Sequence, residues 1–520
     1  SPSAPAPSRT YADALDLLNT LIPNTKVHAL FGKPPQPAAP GQPPPPASDP
    51  NLLALPEMRA WLLRANLTPR RLSALSCIHV AGTKGKGSVA ALATSALLAA
   101  AAGSSSHPGR VGTYTSPHLV TPRERIALDG RPVSQPLFAA AFFELWDLLS
   151  AAPADPDHLP AVPAGAKPFY FRFLTLLALH IFLREGVRSV VLECGIGGEY
   201  DATNAVVSPS GAAVTAAVVT QLGVDHVAML GAAPESIAWH KAGVMKPGVP
   251  AFTRRLDAQP AVMAVLRARA RELGARLVEV PDADVDAWPG VPGAKLPGGA
   301  FQKRNQALAA LAAAHHLRVL EGRRDTEAMT DARGLLRDVP ETVIAGLREA
   351  TLRGRHEVLE RGAVSWHLDG AHNTDSLAEV ARWTASVVVA PDTTTGFVLV
   401  FNQQERDAPA LLLGLLREMQ AAGVDVGSRL DAAVFTRNDK TTDGGGGGGA
   451  ADVAVQEGCA AAFRAAYPGV EARVCRDLTE MKAVVDAAAA ARSTGSRVLV
   501  TGSMYLVGNV IGLLEPDGLV

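Results

Sequence analysis

Cysteines are few in this chain of 520 residues, and they lie far apart. The four cysteines are Cys77, Cys194, Cys459 and Cys475, and no two of them form a Cys-x-x-Cys pair. This spacing excludes a zinc ribbon and a dense disulfide framework, and it favours a reducing compartment. Cys194 belongs to a glycine-rich motif described below, where a small buried thiol is the expected role.

The chain also lacks an excess of either charge and a long apolar run. Its 49 lysines and arginines nearly balance its 50 aspartates and glutamates, which gives a net charge of -1. This balance does not suggest binding to nucleic acid or to an anionic membrane surface. The longest apolar run, Phe173–Leu183, contains His180 and is too short to cross a bilayer, so it predicts a buried helix. We therefore expect neither a nucleic-acid partner nor a membrane span.

Proline and glycine are concentrated in a few stretches that predict surface loops or tails. These stretches are Ser1–Arg9, Pro34–Pro50, Ala151–Lys167 and the glycine run Gly444–Gly449. Proline-rich segments are extended and glycine runs are flexible. None of these stretches is therefore expected to carry chemistry.

Strand-like apolar runs alternate with helical patterns over the rest of the chain, which is long enough for two or three domains. The elements predicted in the first part are the strands Ser189–Leu192, Ala213–Val219 and Arg276–Val280 and the helices Ala261–Leu273 and Gln302–Leu317. The strands predicted in the second part are Ala363–Leu368, Gly396–Phe401, Ala432–Phe435, Ala472–Val474 and Arg497–Val500. This alternation predicts an α/β fold with mostly parallel sheets, divided into domains 1–345 and 346–520.

The stretch His79–Ser88, His-Val-Ala-Gly-Thr-Lys-Gly-Lys-Gly-Ser, is the most informative motif. It lies between a strand-like run and the helical run Val89–Ala102, so it predicts a glycine-rich turn from a strand into a helix. Such a turn binds phosphate through backbone N–H groups and the helix N-terminus, and Lys86 adds a full charge. The residues expected to bind ATP or a close relative are Gly82, Thr83, Gly85, Lys86, Gly87 and Ser88.

The spacing of this loop departs from the common G-x-x-x-x-G-K-[ST] form, because Gly87 stands between Lys86 and Ser88. Ser88 is nevertheless placed to offer a hydroxyl to a phosphate-bound Mg²⁺. An ordinary glycine-rich turn is the alternative when the loop is taken alone. The other motifs of the chain favour nucleotide binding.

Two motifs follow predicted strands of the first part. Glu193-Cys-Gly-Ile-Gly-Gly-Glu-Tyr-Asp-Ala-Thr-Asn204 comes directly after Ser189–Leu192, and Asp225-His226 follows Ala213–Val219. A carboxylate at the end of a strand beside a phosphate loop is a common way to hold Mg²⁺. His226 is a candidate metal ligand as neutral imidazole, and a hydrogen-bonded polar residue is the alternative.

Basic and imidazole side chains mark further candidate sites. Lys246 is expected to complement the dipole at a helix end, and Lys241, taken alone, favours a surface role. The motifs Thr115-Ser-Pro-His118 and Gly370-Ala-His-Asn373 follow strand-like runs, and Arg355 precedes the second motif. Such side chains suit an anionic substrate, and a solvated loop is the alternative for each of them.

Taken together and in order, these motifs resemble those of the folylpolyglutamate synthase family of the Mur ligase superfamily. The matching segments are Tyr11–Leu15, Leu18–Leu21, the phosphate loop, Thr115–His118, Arg123–Arg125, Tyr170–Thr175, Glu193–Asn204, Asp225-His226, His240–Lys246, Gln302–Asn305, Asp369–Asn373 and Thr501–Ser503. Lys84 departs from the bacterial pattern, which usually has Asn there. Its side chain is expected to lie outside the phosphate cradle, so function should survive.

The resemblance implies an N-terminal P-loop ATPase domain and a smaller Rossmann-like C-terminal domain that binds glutamate. It implies ATP-dependent amide formation between the γ-carboxyl of a reduced folate and the amine of L-glutamate, through an acyl phosphate. The implied cofactors are ATP and Mg²⁺, with K⁺ as a further monovalent cation. Relatives act largely as monomers in the cytosol and in organelles such as the mitochondrion, and the same is expected here.

The family pattern also implies roles for individual residues. It implies contacts to Mg²⁺ for Ser116, Glu193 and His226, and a carbamylated lysine at Lys241 that helps to hold a second metal. The implied nucleotide contacts are Gln302, Asn305, Arg355 and Asp369. The implied substrate contacts are Thr115, Pro117, His118, Arg123, His372 and Ser503, with His372 and Ser503 near the incoming glutamate. Catalytic roles are expected for Lys86, Lys241, His226 and His372.

Three other functions stay open on the sequence alone. Dihydrofolate synthase joins glutamate to dihydropteroate on the same fold, but Gly198–Asp201 and Phe171–Phe173 resemble the branch that extends polyglutamate. A nucleotide-binding regulatory protein would have no use for Lys241, His226 and Glu193 together. A cell-wall ligase is an alternative from the superfamily, against which the Glu-Tyr-Asp and Asp-Gly-Ala-His blocks argue.

Overall fold

The computed structural model describes residues 9–21, 53–102, 108–155, 162–207, 212–223, 230, 233–296, 299–323, 331–389, 395–404, 407–440 and 452–515. The chain divides into two units. The first unit comprises Ser1–His118, Pro122–Lys295 and Ala300–Thr351, and the second comprises Leu119–Thr121, Leu296–Gly299 and Leu352–Val520. The domain boundary expected at 345/346 falls inside the helix Glu341–Glu349, which belongs to the first unit.

Within the described residues, the sheet of the first unit has eight strands. These are β1 (Ser76–Ala81), β2 (Arg110–Tyr114), β3 (Ile126–Leu128), β4 (Arg131–Pro132), β5 (Val187–Glu193), β6 (Ala213–Val219), β7 (Pro250–Arg254) and β8 (Arg276–Val280). Their order is β4-β3-β2-β5-β1-β6-β7-β8, and only the β2–β3 and β3–β4 pairs among them are antiparallel. The central strands β1, β5 and β6 are buried almost throughout, so they appear in the sequence as largely apolar runs.

The register of the central strands determines which residues meet at the edge of this sheet. Val80 on β1 pairs with Glu193 on β5, and Ala81 pairs with Val219 on β6. Carboxyl ends of parallel strands lie at the same edge, so the turn after Ala81 lies beside Glu193 and the residues that follow Val219.

Helices cover the sheet of the first unit. The described helices are α1 (Tyr11–Asn19), α2 (Ala54–Arg64), α3 (Pro69–Leu72), α4 (Lys86–Ala102), α5 (Gln135–Ala151), α6 (Tyr170–Arg184), α7 (Ala202–Val206), α8 (Pro234–Ala242), α9 (Pro260–Leu273), α10 (Asp282–Ala287), α11 (Gly299–Leu320), α12 (Ala332–Arg337) and α13 (Glu341–Glu349). The apolar run Phe173–Leu183 lies in α6 and is largely buried, which confirms the predicted buried helix. Its Phe173 packs on Phe142 of α5 in the core.

The second unit has its own sheet. Its described strands are β9 (Glu357–Arg361), β10 (Val364–Leu368), β11 (Gly396–Phe401), β12 (Ala432–Thr436), β13 (Glu471–Cys475) and β14 (Ser496–Thr501), in the order β13-β12-β11-β14-β10-β9. Only β9 is antiparallel to its neighbour in this described sheet. The helices are α14 (Thr374–Trp383), α15 (Ala408–Ala421), α16 (Val426–Arg429), α17 (Ala454–Ala466), α18 (Leu478–Ala490) and α19 (Met504–Leu514).

Helices cover both faces of this second sheet. Residues of α14, α15 and α17 pack in one apolar cluster with Phe397 and Leu399 of β11. Residues of α18 and α19 pack in another cluster with Val398 and Val400 of the same strand. Because successive side chains of a strand point to opposite faces, these two clusters lie on opposite sides of the sheet.

Most of the predicted strands are confirmed with small changes at their ends. The structure also has β7 and β9, which the sequence does not predict. β7 begins at Pro250, and proline is disfavoured within strands, so its sequence gives a weak strand signal. β9 is an edge strand with charged residues at Glu357, Glu360 and Arg361. Edge strands do not need an apolar run, so such a strand gives a weak signal in a sequence.

Three of the stretches predicted as loops or tails lie wholly or almost wholly outside the described residues. Pro34–Pro50 and Gly444–Gly449 lie outside the described residues, as does Ser1–Arg9 except for Arg9. All four cysteines are buried free thiols. Over the described part of the chain, no helix is both long and apolar enough to cross a membrane.

His79 on β1 is a buried, neutral histidine. Burial lowers the pKa of its imidazole well below the ordinary value, and the charge of Lys246 acts in the same direction. Its Nε2 atom lies 2.9 Å from Thr203 Oγ1, which itself donates a hydrogen bond to Asp201 Oδ1. The imidazole therefore donates from Nε2, as a neutral ring with that tautomer does.

Acid is expected to destabilise the first unit through His79. Below the ordinary histidine pKa of about 6.5 the unfolded chain binds a proton that the folded chain does not, so the free energy of unfolding falls as the pH falls. The midpoint of thermal unfolding should therefore fall less between about pH 7.5 and about pH 5 in His79→Gln than in the wild type. His180→Gln on α6 is the control and should not lessen the fall, because the His180 imidazole faces the Glu144 carboxylate rather than an apolar interior. An equal fall in His79→Gln would contradict the prediction.

Candidate functional site

The turn between β1 and α4 requires glycine at two positions. Gly82 has φ +152°, and a Cβ added there would lie 1.8 Å from Thr220 Oγ1. Gly85 has φ +88°, and its added Cβ would lie 2.6 Å from Asn305 Oδ1. Gly87 and Ser88 occupy the first turn of α4. The loop is therefore a tight backbone turn at a helix N-terminus, as phosphate binding requires.

The phosphate loop is anchored to the segment after β6. The backbone N–H groups of Thr83 and Lys84 donate to Gln221 O at 2.9 and 3.2 Å. The Thr220 hydroxyl donates to Lys84 O at 2.7 Å, and the Thr83 hydroxyl donates to Gly223 O at 2.9 Å. These bonds attach the loop to the segment after β6 at both Thr83 and Lys84.

Lys86 brings positive charge back over this loop. Its Nζ atom donates to Gly82 O at 3.0 Å, so the ammonium group lies across the turn rather than out in solvent. The charge therefore adds to the partial positive charge of the α4 N-terminus at the same place.

Gln302 and Asn305 lie on α11 against the same loop. Both side chains are buried, and Asn305 Nδ2 donates to Gln302 Oε1 at 2.6 Å. The Asn305 Oδ1 atom faces Gly85 closely enough to exclude a Cβ there. Two residues predicted as nucleotide contacts are thus brought together with the predicted phosphate loop.

Gly85→Ala is expected to weaken ADP binding by about tenfold or more, because the new Cβ would displace the loop or Asn305. Gly186→Ala is a matched control, since Gly186 also has positive φ, +67°, but an added Cβ meets nothing within 4 Å. The control should lose similar stability and keep its ADP affinity. Calorimetric titration with ADP and thermal unfolding measure both effects, and equal ADP affinity in the two variants would contradict the prediction.

Glu193 is a buried carboxylate at the end of β5, beside this loop. Ser116 N donates to Glu193 Oε2 at 3.1 Å. Burial raises the pKa of the Glu193 carboxyl to about 7, and the charge of Lys86 and the bond from Ser116 oppose part of this rise. A buried carboxylate of this kind would be stabilised by a cation.

The residues around Glu193 fit Mg²⁺, which prefers oxygen ligands and keeps contacts to nucleotide phosphate. Among the described residues, no group of three His, Cys, Asp or Glu side chains could hold a metal ion. Glu193 and the hydroxyl of Ser116 would therefore supply only part of the coordination. His226, the third predicted ligand, lies outside the described residues.

Lys241 lies on α8, whose end is hydrogen-bonded to the loop that follows Glu193. Lys241 is 1% exposed on α8. Glu199 N donates to His240 O at 2.7 Å, and Asn204 Nδ2 donates to Gly243 O at 3.2 Å. Lys246 Nζ donates to Asn204 Oδ1 at 2.7 Å and to Gly243 O at 3.0 Å, which places it at the helix end as predicted. The surface role that Lys241 suggests when taken alone is wrong, because this side chain is buried.

The segment after β2 contains most of the predicted folate contacts. Thr115 N donates to Arg125 O at 2.9 Å, and Pro117 is exposed. His118 Nδ1 accepts a hydrogen bond from Arg125 Nε at 2.8 Å. Burial and the charge of Arg125 lower the pKa of the His118 imidazole to about 4. His118 is therefore neutral and carries its proton on Nε2.

Arg123 lies apart from these side chains, in the interior of the first unit. It is 2% exposed, and its Nη1 atom donates to Val133 O at 2.8 Å. Its guanidinium lies over the Tyr11 ring, 5.5 Å from the centroid. These contacts favour a packing role for Arg123 in this conformation.

The other predicted residues lie at the carboxyl edge of the second sheet. After β10, the Asp369 carboxylate accepts hydrogen bonds from His356 N and Ala371 N, both at 2.9 Å, and lies 4.0 Å from Arg355 Nη1. His372 Nδ1 lies 3.0 Å from Gly370 O, so it donates to that carbonyl.

Ser503 follows β14, the strand next to β10, and caps α19. Its hydroxyl accepts from Tyr505 N at 3.2 Å and from Leu506 N at 3.5 Å. The side chain therefore lies at the start of a helix, on the same sheet edge as His372.

Comparison with known proteins shows to which family the chain belongs. No protein-family model matches the chain. A curated folylpolyglutamate synthase of Neurospora crassa is 36% identical over an aligned length of 524 residues, which covers 98% of this chain and 92% of that protein. The chain belongs to the folylpolyglutamate synthase family. A second folylpolyglutamate synthase, from Saccharomyces cerevisiae, is 36% identical over 436 residues, or 83% of this chain and 72% of that protein.

A solved folylpolyglutamate synthase has the same fold. The structure from Mycobacterium tuberculosis, complexed with ADP, is 25% identical, with a TM-score of 0.63 and coverage of 98% of both chains. The resemblance to this family is therefore confirmed, as is the predicted α/β fold with a large, mostly parallel sheet and a second sheet domain.

In this member of the folylpolyglutamate synthase family, the sequence alone predicts no role for Asp201, which lies near the site. The Asp201 carboxylate accepts from Gly195 N at 2.9 Å, Ile196 N at 3.0 Å and Thr203 N at 2.9 Å. It thereby fixes the turn that follows Glu193. An Asp that directly precedes a short helix is a helix-capping signal, and that signal could have identified it.

Proposed function

We propose that this chain is an ATP-dependent ligase that adds L-glutamate to the γ-carboxyl of a reduced folate and forms ADP and phosphate. The observation that carries this proposal is the hydrogen-bonded phosphate loop with Glu193 and Ser116 beside it, in a chain of the folylpolyglutamate synthase family. The first unit would bind ATP, and the second would contribute His372 and Ser503 to glutamate.

The proposed reaction has two steps. An oxygen of the folate γ-carboxylate attacks the γ-phosphorus of ATP, and the bond to ADP breaks. The amine of L-glutamate, after losing a proton, then attacks the carbonyl carbon of the acyl phosphate, and inorganic phosphate leaves. The first step is needed because a carboxylate is a poor electrophile and phosphorylation turns its oxygen into part of a leaving group.

The residues of the chain serve this reaction mainly by position and charge. Lys86 and the loop N–H groups would stabilise negative charge on the transferred phosphoryl group. Glu193 and Ser116 would hold Mg²⁺, which neutralises phosphate charge when it is bound. Lys241, if carbamylated, would help to hold a second metal.

In the second unit, His372 is proposed to bind L-glutamate. Its Nδ1–H donates to Gly370 O, so a neutral imidazole keeps Nε2 as an acceptor. An acceptor suits the ammonium group of L-glutamate before it loses its proton. A monomeric state, a location in the cytosol or a mitochondrion, and a use of K⁺ stay predictions.

The substrate is tested by offering two acceptors to the same enzyme. Purified protein with Mg-ATP and labelled L-glutamate should incorporate label with tetrahydrofolate and not with dihydropteroate. Label with dihydropteroate would assign dihydrofolate synthase activity, alone or beside the extension reaction. Binding of ATP without label in either tube would contradict ligase function and favour a regulatory protein.

A further inference from the structure

Gln403 is a buried side chain where three strand ends of the second unit meet. The sheet order places β11, β14 and β10 side by side, and Gln403 comes just after β11. Its Nε2 atom donates to Gly502 O at 3.0 Å, after β14, and to His372 O at 3.5 Å, after β10. One carboxamide therefore joins the backbone segments that follow three neighbouring strands.

These strand ends enclose a reversal in the path of the chain. The helices that follow β10 and β11 contribute Leu377 and Leu412 to the cluster on one face of the sheet. The helix that follows β14 contributes Leu506 and Val507 to the cluster on the other face. Open α/β sheets bind ligands in the crevice at such a reversal.

Two of the segments at this crevice are in close contact. Gly502 has φ +105°, and a Cβ added there would lie 2.4 Å from Asn402 O. The segment after β14 is therefore pressed against the segment after β11. The same two segments carry Ser503 and Gln403, so a displacement of Gln403 would also displace Ser503.

We propose that Gln403 is a positioning residue for the incoming L-glutamate. Together with the bond from Gly502 N to Ala371 O at 3.0 Å, it fixes the spacing between the segment that carries His372 and the segment that carries Ser503. The inference rests on the proposed ligase function, in which these two residues contact the amino acid. A carboxamide can donate two hydrogen bonds, and both go to backbone carbonyls here. A side chain without donors would take this partner from both carbonyls. The bond from Gly502 N to Ala371 O at 3.0 Å would then be left as a direct backbone link between the two segments, so their spacing would be less tightly fixed.

The chain offers a matched control in a second buried carboxamide. Gln456 is 2% exposed and Gln403 is 5% exposed. Gln456 Nε2 donates to Asn402 Oδ1 at 2.8 Å, so it supports the segment after β11. It supports this segment through a side chain rather than through the carbonyls of His372 and Gly502. Its loss should therefore cost stability without changing the glutamate contacts.

The test compares Gln403→Met, Gln403→Glu and Gln456→Met in the full-length enzyme, with tetrahydrofolate as acceptor. Both Gln403 variants should raise KM for L-glutamate by about tenfold or more and leave KM for ATP unchanged. The Glu variant should show the larger rise, because its charge faces two carbonyls and an anionic substrate. Gln456→Met should lower the thermal midpoint and keep the wild-type KM for L-glutamate.

A folded Gln403→Met enzyme with the wild-type KM for L-glutamate would overturn the inference, and so would equal rises in KM for ATP and for glutamate. If neither the Met nor the Glu variant folds, Gln403→Asn takes their place, because its side chain keeps both donors but is too short to reach both carbonyls. It should raise KM for L-glutamate, and a wild-type KM would overturn the inference. Failure of the proposed function is distinguishable, because the wild-type enzyme itself would then not ligate glutamate.

Discussion

Lys86→Ala should lower kcat for ATP-dependent glutamate ligation by about 10³-fold or more, because the variant loses the charge that faces the transferred phosphoryl group. The Lys86 ammonium already lies across the phosphate loop, 3.0 Å from Gly82 O. It therefore does not have to be recruited from solvent when the nucleotide binds. Alanine is a good helix former, so the first turn of α4 should be retained.

Lys84→Ala provides the comparison for this variant. Lys84 belongs to the same loop, and the loop conformation depends on its backbone, which bonds to Gln221 and Thr220. Removing its side chain keeps those bonds, so turnover should stay close to that of the wild type. Release of ADP and the thermal midpoint measure activity and folding for both variants. Near-normal turnover in Lys86→Ala would remove this lysine from the phosphate site, and equal losses in both variants would show a general effect of loop charge.

The fold could be predicted where the strands are buried on both faces. Ala213–Val219 is apolar except for Thr215 and is the strand β6 with the same bounds. β9 could not be predicted, because an exposed edge strand has no need of such a run. The difference follows from burial, since an apolar run is required only where neighbours cover both faces.

The candidate site could be predicted where its chemistry is local in the sequence. Gly82–Ser88 combines backbone, charge and helix start within one turn, so the sequence predicts the strand–turn–helix arrangement that the structure has. The interaction of Gln403 with Gly502 could not be predicted, because the two residues are 99 positions apart. The burial of Arg123 was missed for the same reason, since it depends on Tyr11 and on Val133 O.

Glu193→Gln should separate activity from stability, because the same charge that binds Mg²⁺ is costly to bury. Burial raises the pKa of this carboxyl to about 7. A neutral amide of the same shape removes the cost, so the metal-free variant should be at least as stable as the wild type. Turnover should fall by about 10²-fold or more, and the Mg²⁺ concentration needed for half-maximal rate should rise by about tenfold or more.

Glu199→Gln makes the same chemical change in the same loop and should give the opposite result. Glu199 Oε2 lies 2.6 Å from Arg269 Nη2, and this arginine is 4% exposed. Loss of the carboxylate leaves a buried charge with a weaker partner, so the thermal midpoint should fall. The Mg²⁺ dependence should not change, because Glu199 pairs with arginine rather than with metal. Thermal unfolding without metal, and rates measured over a series of Mg²⁺ concentrations, test both variants. If Glu199→Gln shifted the Mg²⁺ dependence as far as Glu193→Gln, the loop as a whole, and not the Glu193 carboxylate, would be responsible for metal binding.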